Sequence, residues 1–227
     1  MVNGRVWPFH PVEQRRYRLR LLNGCNSRFL ILDFSSIPAV LVHQIGNDGG
    51  LLAAVHDVMA ADAGRLLLAP AERADVIVDF AHVPPGNHVL GNLGPDEPYG
   101  GGEPDVDFPL PDPDTTGQVM QFRVSAATAP DPSTPAEFLV LPAITALPAE
   151  TRVRRLALIE HEHDIGEGGP TAALLGTVDG DPTAGPVGTT HLMWMDPVTE
   201  NPAPGDTEVW EVYNLTADAH PVHIHEV

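Results

Sequence analysis

Basic residues and cysteine are what this sequence has least of. Its 227 residues include 12 Lys plus Arg against 31 Asp plus Glu, for a formal net charge of -19. Phosphates and anionic headgroups repel so acidic a surface, which excludes general nucleic-acid binding and docking to an acidic membrane. A single cysteine, Cys25, excludes an intrachain disulfide and any zinc site built on two thiolates. No apolar run approaches the ~20 residues that span a bilayer. Nothing after Met1 reads as a secretory signal either: Val2-Asn3-Gly4 follows directly, with no basic stretch and no apolar core. These absences leave the compartment unknown.

What is present reads as globular and all-β. A content of 43% hydrophobic and 19% charged residues is not that of a disordered chain. The 24 Pro and 21 Gly interrupt every long periodic segment, so short strands joined by turns are expected in place of long helices. Arg16–Leu21 alternates strictly, with Tyr17, Leu19 and Leu21 on one face and arginines on the other, the pattern of a half-buried strand. Further strands are expected at Phe29–Leu32, Val40–Val42, Leu66–Leu68, Asp75–Phe80, His88–Leu90 and Met120–Val124. Asp48-Gly49-Gly50 is expected to make a tight turn.

Two stretches break the pattern. Between Pro95 and Asp114 lie seven acidic residues, six prolines and no basic residue, the composition of a solvated loop at the edge of a first domain. Residues 129–150 are rich in proline and read as an interdomain linker. Beyond them only about three convincing strands are visible, among them Val153–Ile159 and Glu208–Tyr213. That is too few to bury both faces of a sandwich, so the second part is expected to be incomplete, with open sheet edges that favour self-association.

Three of the 11 histidines fall within six residues: His220-Pro221-Val222-His223-Ile224-His225. On an extended chain His223 and His225 share a face, roughly 7 Å apart, and Pro221 favours extended backbone at His220. Imidazole suits copper, zinc, iron and nickel alike, so the histidines alone do not choose the metal.

The segment resembles the His-Pro-x-His-x-His motif of multicopper oxidases. Asp196-Pro197-Val198-Thr199-Glu200, Gly205–Trp210, Val2–Pro8, Asn26-Ser27-Arg28, Gln44–Leu51 and Leu68–Asp75 are similar to blocks of bacterial spore-coat laccases and bilirubin oxidases, in the same order. The resemblance implies cupredoxin-like Greek-key β-sandwich domains, with residues 1–128 as the family's second domain and 151–227 as the beginning of its third. It implies copper of type 1, type 2 and type 3, dioxygen as electron acceptor, and a phenolic or tetrapyrrole-type donor. By motif position His220 resembles a type 1 ligand, His223 the type 2 ligand and His225 a type 3 ligand.

The family's type 1 copper also needs a thiolate in a His-Cys-His segment, and Cys25 sits instead between Gly24 and Asn26. It reads as a small buried apolar residue. The two early His-x-His pairs of the family are absent too. The chain is therefore expected to be an internal fragment of a longer oxidase and inactive alone. The alternative is a non-enzymatic cupredoxin scaffold that binds metal weakly or is completed by a partner chain.

Other residues carry structural readings. His161-Glu162-His163-Asp164 is expected to be a solvated strand end. His10, His43, His56, His82, His88 and His191 are expected at the surface or in structural hydrogen bonds. Glu72, Arg73 and Asp75 suggest an ion pair that closes a loop, and Met193, Trp194 and Met195 suggest core packing.

Overall fold

The computed structural model describes residues 1–161, 169–180 and 188–225. Glu162, His163 and Asp164 of the sequence reading lie outside the described residues. The chain divides into two compact units, Met1–Ile144 with Pro221–Val227, and Thr145–His220.

The first unit contains nine strands: β1 (Phe9–Glu13), β2 (Arg16–Leu22), β3 (Leu30–Asp33), β4 (Leu41–Asn47), β5 (Gly50–Asp57), β6 (Arg65–Leu68), β7 (Arg73–Asp79), β8 (Gly86–Asn92) and β9 (Gln118–Ser125). They form two sheets, ordered β1-β9-β8-β3-β6 and β2-β7-β4-β5. One apolar core joins them. Leu32, Leu66, Leu90, Phe122 and Val124 enter it from the first sheet, and Val42, Ala74, Val76 and Val78 from the second. Strand β7 shows why: Ala74, Val76 and Val78 alternate into the core while Arg73, Asp75 and Ile77 point away. The alternation read in β2 holds as well. Tyr17, Leu19 and Leu21 pack on the core, and Arg18 turns outward to a two-point ion pair with Asp75 (Nε–Oδ1 2.8 Å, Nη2–Oδ2 2.5 Å).

Strands β1 and β5 are additions to the sequence reading, and both are sheet edges. An edge strand tolerates Pro11 in β1, and it removes the need for the alternation that β5 lacks. The tight turn at Asp48-Gly49 joins β4 to β5, with Gly50 at φ +139. The acidic loop after Pro95 is tied to this unit by Arg28–Asp96 and Arg65–Glu103 ion pairs, and the Tyr99 ring meets Phe29 at a tilt and Phe108 edge-on. Past β9, Asp131 anchors the proline-rich stretch: its carboxylate accepts from the Arg16 N–H at 2.8 Å.

Among the described residues the second unit forms one sheet, β12-β11-β10-β13, built from β10 (Arg152–His161), β11 (Ala172–Asp179), β12 (Gly188–Leu192) and β13 (Glu208–Asn214). Of these, β10 and β13 match strands read in the sequence, whereas β11 and β12 do not, because neither Ala172–Leu175 nor Gly188–Leu192 shows the alternation that marks a strand in sequence. Apolar side chains stand exposed on both faces: Val153 and Val209 share one, Leu175 and Val212 the other. Buried along with Ala157 and Val178 is a charged residue, Arg154. Arg154 donates to Glu208 through Nε (2.6 Å) and Nη2 (2.8 Å) and to the Thr199 carbonyl through Nη1 (2.7 Å).

This pair sets an acid limit. The Arg154 guanidinium, helped by the Trp210 indole N–H, holds the Glu208 carboxyl down from 4.5 to about 2. Because the folded value is the lower one, the stabilisation is complete above ~4.5 and is lost as pH falls towards ~2. Glu208→Gln is expected to speed amide exchange across β10 and β13 at neutral pH and to flatten the acid dependence in that window. Unchanged exchange in the variant would contradict this.

Candidate metal centre

The three histidines of the 220–225 segment have separate surroundings. His220 closes the second unit. Its Nε2 lies 2.8 Å from Thr216 Oγ1 and 3.5 Å from Glu160 Oε1. Thr216 is held in turn by Asn214, whose Oδ1 accepts from the Thr216 N–H at 3.1 Å and from its hydroxyl at 2.7 Å. Asn214 thus ends β13 with a local side-chain turn that presents His220 at its far side.

His223 groups with the first unit. Its Nε2 lies 2.9 Å from the Pro70 carbonyl, and its Nδ1 lies 3.3 Å from Asp48 Oδ2. The other carboxylate oxygen, Asp48 Oδ1, accepts from the Arg73 N–H at 2.6 Å and faces Arg73 Nε at 3.3 Å. His225 is exposed. Among the described residues no three His, Cys, Asp or Glu side chains converge as a ready-made metal site. The donors are imidazoles, which suit copper, and His223 is backed by a carboxylate as metal-bound histidines usually are. As ligand types these residues fit copper, and as a set they do not enclose it.

Cys25 departs from expectation: it is exposed rather than buried. The buried residue of that turn is Asn23, which donates to the carbonyls of Arg28 and Leu68 at 2.9 Å and accepts from the Cys25 N–H at 3.0 Å. A polar side chain saturated by backbone groups occupies the interior, so the thiol points out.

Met193, Trp194 and Met195 are exposed as well, at 58%, 96% and 88%, against the core packing expected of them. They form a turn after β12 that Asp196 closes by accepting from the Met193 N–H at 2.7 Å. The ion pair expected around Glu72 has different partners. Glu72 accepts from the Ala69 N–H, Arg73 faces Asp48, and Asp75 binds Arg18. His43 is buried rather than at the surface, and its Nδ1 has no hydrogen-bond partner. His56 pairs with Asp62, and the His161 and His191 rings meet edge to face at 4.7 Å.

Sequence reasoning named the three histidines and missed their supports. Asp48 was legible as a turn residue and Pro70 as part of the Leu68–Asp75 block, while Thr216 and Glu160 carried no signal.

Known proteins give these residues a context. No family model matches the chain. A laccase of Bacillus stratosphericus is 37% identical over 230 residues, covering 100% of this chain and 38% of its own length. A multicopper oxidase of Oryza sativa subsp. japonica is 37% identical over 226 residues, covering 99% of this chain and 33% of its own. The chain thus spans about a third of the length of the curated relatives it matches. Among solved structures, a laccase from Pediococcus acidilactici superposes with a TM-score of 0.56 and 26% identity, covering 93% of this chain and 35% of that one. The all-β architecture is theirs.

Proposed function

We propose, from its end-to-end relationship to multicopper oxidases, that this chain carries part of the copper-binding machinery of a laccase-like oxidoreductase. The supporting observation is the His220-Pro221-Val222-His223-Ile224-His225 segment in a chain 37% identical to a laccase over its whole length. His220, His223 and His225 serve as copper ligands: His220 to a type 1 centre, His223 to a type 2 centre and His225 to a type 3 centre. Copper, when bound, supplies one-electron oxidation of a phenolic or tetrapyrrole-type donor and the reduction of dioxygen to water.

The chain's own contribution is positional. Thr216, fixed by Asn214, holds the His220 ring by its Nε2. Asp48, fixed by Arg73, faces Nδ1 of His223. The Val222 and Ile224 side chains alternate with the histidines and are about half exposed.

Among the described residues no donors converge, and Cys25 is not in a type 1 context, so the chain alone is expected to show no copper-dependent oxygen consumption. Substituted for the matching third of the Bacillus stratosphericus laccase, it is expected to support oxidation of a phenolic donor with oxygen taken up. A folded chimera that loads copper and oxidises nothing would overturn the proposal.

A further inference from the structure

One sheet edge of this chain is left open in a way the other edges are not. The three sheets leave six edge strands among the described residues: β1, β6, β2, β5, β12 and β13. An edge exposes a row of unpaired N–H and C=O groups that another strand can extend, and proteins discourage this with proline, charge, bulges or shortness. Five of the six carry such a feature. Strand β1 contains Pro11. Strand β2 presents Arg16, Arg18 and Arg20, and the Arg16 N–H is already taken by Asp131. Strand β5 loses register with β4 between Gln44 and Gly46 and ends in Asp57. Strand β6 is four residues long, and its Arg65 is tied to Glu103. Strand β13 carries Glu208 and Glu211. Strand β12 differs: Gly188-Thr189-Thr190-His191-Leu192 keeps unbroken register with β11 from Asp179 to Leu175 and holds no proline, carboxylate, Lys or Arg. Its first four residues are exposed.

We propose that β12 is a self-association edge: two copies of this chain pair β12 with β12, antiparallel about a two-fold axis at Thr190, and join two four-stranded sheets into one. The proposal is independent of the copper reading. An isologous contact presents the same surface from both copies, so the strand has to be compatible with itself. In this register Thr190 meets Thr190, Thr189 meets His191 and Gly188 meets Leu192. Threonines pair favourably across antiparallel strands, and no acidic or basic side chain stands opposite its like. Gly188 brings no side chain against Leu192. The same operation on β13 sets Glu211, the middle of its seven residues, against Glu211, and like charges directly opposite are destabilising. In the second unit β12 is therefore the edge that accepts a second copy. The net charge of -19 opposes association at long range, so added salt strengthens the contact.

Charges placed on the axis test this. Thr190 is exposed, so Thr190→Lys and Thr190→Glu are expected to leave the β-sheet circular dichroism unchanged. In sedimentation velocity the unmodified chain is expected to form a dimer whose population rises with concentration and with salt. At one fixed salt concentration each variant alone sets two like charges together, and its dimer is expected to be at least roughly tenfold weaker. An equal mixture of the two sets lysine against glutamate and is expected to restore the dimer. A long-range charge effect would instead move the variants in opposite directions, because Thr190→Lys lowers the net negative charge and Thr190→Glu raises it. Stacking through the open apolar faces of the sheet would leave the unmodified chain and both variants alike. Either of those patterns, a chain that stays monomeric at high concentration, or a mixture no tighter than the variants alone would overturn the proposal.

Discussion

Phe80→Ala is expected to cost about 3–5 kcal/mol, the range for deleting a buried phenylalanine. Phe80 follows β7 and is fully buried. Its ring meets Tyr17 of β2 edge-on, centroids 5.9 Å apart, and Phe122 of β9 at 5.0 Å. Those two partners belong to different sheets, so one ring bridges both layers of the first unit. Truncation leaves a cavity between the layers that neither sheet can fill without breaking its ladder. Domains of this kind hold about 5–15 kcal/mol in total, so the loss takes much of the reserve. Urea unfolding checks it. A shift below about 1 kcal/mol would mean that the two sheets do not depend on this contact.

The second large effect concerns the histidines. Replacing His220, His223 and His225 together by alanine is expected to remove the chain's specific copper uptake. Other histidines stand elsewhere on the surface, among them the edge-to-face pair His161 and His191. These serve as the internal comparison, since among the described residues no three His, Cys, Asp or Glu converge around them either. The fold should survive the triple change. None of the three side chains enters the core of the first unit, and Thr216 keeps its bond to Asn214 when His220 is gone.

Much of this was legible in the sequence, and what was not has physical causes. Strands with strict alternation, such as Arg16–Leu22, were legible because one face meets an apolar core and the other meets water. Strands β5, β11 and β12 were not, because edge position or the open faces of the second unit relax that alternation. In β10 the pattern inverts: Arg154 is buried against Glu208 while Val153 stands exposed. A buried charge pair depends on a partner 54 residues away, which no local pattern encodes.

The site divides the same way. The three histidines are contiguous and could be read as a motif. Their supports are distant: Asp48 and Pro70 lie more than 150 residues from His223 and reach it only through the fold. Cys25, Trp194 and Met195 were misplaced because residue type suggested burial, whereas turns closed by Asn23 and Asp196 turn them outward.

The most direct test of the copper assignment is the electron paramagnetic resonance spectrum of the chain loaded with one equivalent of copper(II), compared with that of the triple alanine variant. The account predicts imidazole nitrogen hyperfine structure in the unmodified chain and its loss in the variant, with the β-sheet circular dichroism unchanged. The same copper–imidazole spectrum from both proteins would show that the metal binds elsewhere and that the His220–His225 segment is not its site.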